Sequence, residues 1–158
     1  NILVNFLLYN EKYLGNISGN LKLKFKNLDN KIIENGQINF EVNEKKIELI
    51  DSFFILNKIG DLETNMSIKD KKGDLIFSST NILYLKNHSG FSKIFQIGKN
   101  KVNHINKIYF DLERKLGEDS FIIKNVRLNN SKSTKNIDKN YIIKNIQNLR
   151  SSFRKVIN

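Results

Sequence analysis

Polar and apolar residues alternate with period two along most of the chain. Leu21, Leu23 and Phe25 alternate with Lys22, Lys24 and Lys26, and Ile38, Phe40 and Val42 with Asn39, Glu41 and Asn43. Leu62, Thr64, Met66 and Ile68 alternate with Glu63, Asn65, Ser67 and Lys69, and Ile108, Phe110 and Leu112 with Tyr109, Asp111 and Glu113. Successive side chains of a strand point to opposite faces, so each run predicts a strand with one apolar and one wet side. Antiparallel sheets carry this pattern, whereas parallel strands buried on both faces read as continuous apolar runs. Short polar segments separate the runs. Asn35-Gly36 predicts a hairpin turn between Ile32–Ile33 and Ile38–Val42. Asn43–Lys46, Asp70–Asp74 and Gly117–Asp119 predict further turns, and such short links make sequential neighbours pair into a meander.

Two segments depart from that rhythm. In Ser89–Ile97, Phe91, Ile94 and Phe95 sit at i, i+3, i+4, which predicts a short helix or crossover near 90–97. In the last segment Ile142, Ile146, Leu149, Phe153 and Val156 recur at helical spacing, with Asp138 as N-cap. The predicted architecture is therefore mainly β: a curved, amphipathic antiparallel meander of about seven to nine strands over 1–130, groove-like or partly closed. A polar linker (131–138) and a C-terminal amphipathic helix (139–157) follow.

Geometry then sets a requirement. Strands spaced about 4.8 Å apart make a sheet over roughly 30 Å wide. A helix about 10–12 Å across covers only two or three of them. The rest of the apolar face needs its own cover, because large apolar patches on a monomer mark interaction sites or liabilities. The sheet must curl on itself, dock on other protein, or hold a nonpolar ligand such as acyl chains.

Composition narrows the chemistry. The 158 residues, about enough for one domain, contain no cysteine, which removes disulfides and thiolate chemistry. The apolar start Asn1–Tyr9 is too short for a membrane span and lacks a basic leader, so any anchor is expected upstream of Asn1. The net charge of +11 has two readings: an anionic partner, or a codon bias that makes Asn, Lys and Ile close to half the chain. The lysines are spread along the sequence, which favours the second. His88 and His104 have no partner at metal-ligand or triad spacing, and Asp111 and Glu113 fit an ordinary wet strand face. Gly15 and Gly19 lack the Lys-Ser/Thr of a phosphate loop, and no Gly-x-Ser-x-Gly elbow occurs. Lys22, Lys24 and Lys26 share a face with no stacking aromatic, so nucleic acid is not expected as a partner. No catalytic residue, metal site or cofactor is expected, and the chain does not read as an enzyme.

The stretches GNISGNLKLKFKNL (15–28), NGQINFEVNEKKIELIDSFFILNKIGDLETNMSI (35–68) and GDLIFSSTNILYLKN (73–87) resemble the C-terminal region of AsmA-like proteins, the bacterial envelope family that includes TamB relatives. The later FSKIFQI, KIYFDLERKL and NVRLNN pieces look like versions from A/T-rich alphaproteobacteria. The resemblance is one of segment style and order, and it covers about nine tenths of the chain. It implies a periplasmic segment, held to the inner membrane through an upstream anchor, whose β-groove moves phospholipid for outer-membrane biogenesis. On that reading acyl chains lie along Leu21, Leu23, Phe25, Ile38, Phe40, Val42, Leu62, Met66, Ile68, Ile108 and Phe110, with little head-group selectivity. Ile142, Ile146, Leu149, Phe153 and Val156 form the helix face that caps the sheet. The implied partners are phospholipid or a membrane surface and other envelope proteins, with the oligomeric state open. The alternative is a structural or protein-binding β-domain with a sealed core and no lipid.

Overall fold

A computed structural model describes residues 19–26, 32–43, 46–71, 74–129, 141–143 and 146–157. Eight strands form one antiparallel sheet in sequence order: β1 (Gly19–Phe25), β2 (Ile33–Asn43), β3 (Lys46–Leu56), β4 (Gly60–Lys71), β5 (Asp74–Leu85), β6 (Lys107–Lys115), β7 (Phe121–Leu128) and β8 (Tyr141–Ile143). The meander does not close into a barrel among the described residues, since β1 and β8 are its two ends. Among the described residues three helices accompany it: α1 (His88–Phe95), α2 (Lys99–Val102) and α3 (Ile146–Ile157).

The register joins the alternating runs into continuous rows. Leu21 pairs with Phe40, Phe40 with Leu49, Leu49 with Met66, and Met66 with Ser79. One face therefore collects most of the apolar residues, while Phe53, Ile55, Ile76, Ile82 and Ile122 lie on the other. Three strands keep this face only by changing parity. In β2, Ile33 shares it with Gly36 after a shift in register between Ile33 and Asn35. In β3, Ile47 and Leu49 point to the apolar side, and so do Ser52, Phe54 and Leu56 after a bulge at Ile50-Asp51. In β7, Phe121 and Ile123 are followed by Val126 and Leu128 after a shift in register near Asn125. Asp51 (φ 48°) and Asn125 (φ 52°) lie in the left-handed region, which Asp and Asn tolerate better than most residues. Each is tied to a neighbour: Asn65 Oδ1 accepts from the Asp51 backbone N–H at 2.7 Å, and Asn125 Nδ2 donates to Asp111 Oδ2 at 2.6 Å.

Two sequence expectations need correction. Asn35-Gly36 is not a turn but lies inside β2. Gly36 is needed there for space: a Cβ would come within 2.5 Å of the Phe25 ring and 2.9 Å of Phe53 O. The helical pattern expected from residue 139 begins later, because Tyr141–Ile143 pairs with Ile123–Phe121 as β8 and the helix starts at Ile146. The proposed linker 131–138 and the proposed cap Asp138 lie outside the described residues. The short helix near 90–97 is present as α1. The Asn87 side chain caps it, accepting from the Gly90 backbone N–H at 2.7 Å.

The excursion from Lys86 to Asn106 joins β5 to β6, which are adjacent antiparallel partners. Two residues would suffice to connect such strands. The inserted segment instead folds back onto the apolar face, where Phe91, Phe95, Ile97, Val102 and Ile105 bury against Leu83, Leu85, Ile108 and Val126. Backbone bonds fasten it at both ends: Lys86 and Asn87 N–H donate to Ile59 O, and the Asn106 N–H donates to Asn129 Oδ1.

Candidate functional site

Every groove candidate lies on the apolar face. Across β1 to β4 the rows place Leu21 beside Phe40, Leu23 beside Ile38, and Phe25 beside Gly36. Val42 stands near Ile68 through Ile47, and Phe40 near Met66 through Leu49. The candidates do not share one environment, however. Ile108 and Phe110 are buried beneath α1 and α3, and Leu62 packs against the same cluster. Ile108 and Phe110 form core that is not open to a ligand, whereas Leu62 stays partly exposed at its edge. By contrast, Leu21 and Leu23 are 53% and 42% exposed, while Phe25, Ile38, Phe40, Val42, Met66 and Ile68 are partly exposed. In the register rows that link them, Gly36, Ile47 and Ser79 are buried.

The cap residues divide as well. Phe153 is 3% exposed and sits in an aromatic cluster, with ring centroids 5.0 Å from Phe95, 5.9 Å from Phe110 and 6.1 Å from Phe91. Leu149 packs beside this cluster. Ile142 belongs to β8 and Ile146 and Val156 to α3, but their side chains lie outside the described set. Arg154 fixes α3 to α1: its Nε donates to Phe95 O and Gln96 O, and its guanidinium bonds the Gln96 side chain.

Between the covered and uncovered areas runs a polar seam that the sequence reading missed. Ser52, Thr64 and Asn81 are register neighbours on the apolar face, and all three are buried. Thr64 Oγ1 donates to Asn81 Oδ1 at 2.8 Å, while Asn81 Nδ2 donates to Ser79 Oγ at 3.0 Å and Phe110 O at 3.1 Å. Ser52 Oγ accepts from the Asn39 N–H. The one available signal was the Ser78–Asn81 stretch (SSTN) inside an otherwise apolar strand.

Two hollows, of about 490 and 720 Å³, lie on the opposite, polar face, lined in common by Asp51, Asn65, Thr80, Asp111 and Asn125. Their polar groups largely engage one another. Lys124 Nζ is 2.9 Å from Glu113 Oε2, and the Ser67 and Ser78 hydroxyls are 3.0 Å apart. Tyr84 donates to Glu63 at 2.9 Å, and this bond to a carboxylate raises the phenol above its ordinary range. Acidic residues gather on this face, whereas Leu75–Phe110, which includes α1 and α2, contains five lysines and no Asp or Glu; α3 carries Arg150, Arg154 and Lys155 and no acid. His88 Nε2 lies 2.9 Å from Ile105 O, a contact internal to the helical cover. Among the described residues no group of His, Asp and Glu is placed to hold a metal, and no helix is long and apolar enough to cross a membrane. No family model, curated protein or solved structure matches the chain.

Proposed function

We propose that this chain is a non-enzymatic lipid-handling segment of an AsmA-like envelope protein, working in the periplasm and holding phospholipid acyl chains on the apolar face of β1–β4. One observation carries the reading: a contiguous stripe running from Leu21 and Phe40 to Met66 and Ile68 stays partly exposed, with no described element packed over it. Burial of such a stripe releases roughly 25 cal/mol per Å² of apolar surface, enough to hold an acyl chain without specific bonds. The cationic, acid-free helical layer suits an anionic membrane surface, where each lysine or arginine contributes about 1 kcal/mol.

The rival is a β-domain with a closed core and a protein partner. The aromatic cluster of Phe91, Phe95, Phe110 and Phe153 favours it for the β5–β7 end. Lipid extraction and native mass spectrometry of the purified protein separate the two. The lipid reading expects co-purified phospholipid that Phe40→Asp removes while the far-ultraviolet circular dichroism stays that of a folded sheet. Absence of lipid, together with unfolding of Phe40→Asp, would favour the closed core.

A further inference from the structure

Arg114 stands on the apolar face, on the side that β6 turns toward Phe77 of β5. By register Asp70, opposite Leu75, is on the same face one row further out. The Arg114 guanidinium lies over the Phe121 ring, 4.9 Å from the centroid, and Phe121 meets Phe77 edge-on at 6.2 Å. The register carries the same row onward from Phe77 through Ile68 and the buried Ile47 to Val42, which is partly exposed. Arg114 Nε is shielded from water and, among the described residues, has no hydrogen-bond partner. A shielded donor on a cationic group costs free energy until an acceptor reaches it, and an ionised acceptor satisfies it best. The aromatic face stabilises the cation but supplies no lone pair to Nε.

We propose that Arg114 is a head-group anchor for the phosphodiester of a phospholipid whose acyl chains lie along Phe77, Ile68 and Val42. The planar fork of arginine matches two oxygens of a phosphate, and the apolar row beside it accepts what is attached to that phosphate. This deepens the proposed lipid function and rests on it. It also replaces the expected indifference to head group with selectivity for a phosphate-bearing one.

The test offers the delipidated protein phosphatidylglycerol and diacylglycerol of the same chains in the same detergent micelles, with bound lipid counted by native mass spectrometry. Wild type should retain phosphatidylglycerol about ten- to a hundredfold better, the range expected for a charge-assisted hydrogen bond. Arg114→Gln should erase the preference while diacylglycerol retention stays, and Arg114→Lys should restore part of it through charge alone. Thermal melting of both variants establishes that they fold. Equal retention of the two lipids by wild type, or a preference that survives Arg114→Gln, overturns the anchor. Inorganic phosphate competing as effectively as lipid would assign Arg114 to free phosphate and also overturn it. Retention of neither lipid by wild type is a different failure, since it removes the lipid reading of the face itself.

Discussion

Beneath β5–β7 the apolar face is closed by α1, α2 and α3, and Phe91, Val102, Ile105 and Ile108 have no exposed surface. On β1–β4 the same face, made by the same alternation, leaves Leu21 and Leu23 about half in water. The difference does not follow from the alternation itself, which runs through both regions. It lies in what the connections carry. The β2–β3 and β4–β5 links close after Asn43↔Lys46 and Lys71↔Asp74 and have no length for cover, whereas the β5–β6 link brings two helices back over its own strands. A strand pattern therefore specifies which face is apolar, and the loops decide how much of that face becomes core.

The largest effect that would break the contrast belongs to the covered region. Phe91→Ala removes a ring stacked 4.4 Å from Phe95 and should cost about 3–5 kcal/mol in urea unfolding, a large part of a domain's stability. Phe40→Ala, a deletion of the same size on β2, should cost about 1 kcal/mol or less, because its partly exposed site refills with water. Equal losses at the two positions would mean that the faces are equally buried in solution. At the seam between them, Asn81→Ala strips partners from Thr64 and from Phe110 O and should cost about 1–3 kcal/mol. Asn81→Asp should cost more, as a carboxylate there would face the same carbonyl with no proton to give.

Behind the covered region, Tyr84 bonds Glu63 on the polar face and is partly exposed. Tyr84→Phe should change stability by about 0.5 kcal/mol or less. The pH dependence has a fixed sign. The folded phenol holds its proton above the ordinary value of 10.0, so its contribution is complete below that pH. It falls as the pH rises from there through the raised value, since the unfolded chain loses the proton first. Tyr84→Phe should therefore flatten the alkaline limb of a stability–pH curve and leave the neutral region almost unchanged.

Much of the sheet was legible because period two is a local property. Each of Leu21, Phe40, Met66 and Phe110 reports its face through its immediate neighbours, and short connections then leave few orders in which the strands can pair. What escaped was non-local. The parity changes at Asp51 and Asn125 depend on left-handed backbone that only the paired strand reveals, and IELIDSFFIL read alone gives no sign of where alternation restarts. Asn35-Gly36 carries the composition of a turn, but the Phe25 ring requires a glycine at that point of the sheet. Burial was the least legible of all. Ile108 and Leu23 carry the same alternating signature, and only the helices over Ile108 distinguish core from stripe.

Leu23 gives the sharpest version of the contrast because the expected effect on stability is close to nil. It lies on β1, an end strand of the sheet, beside Ile38, and its wet-face neighbours Lys22 and Lys24 already give that strand the charge that discourages pairing with another chain. Replacing Leu23 with Asp removes an apolar side chain that is 42% exposed and adds a charge with free access to water. Urea unfolding should place Leu23→Asp within about 0.5 kcal/mol of wild type, whereas the same change at Ile108 should prevent folding. Lipid retention should move in the other direction, falling for Leu23→Asp although the fold is intact. A loss of more than about 1 kcal/mol at Leu23 would show that the stripe is covered in solution, and the lipid reading would lose the open surface on which it depends.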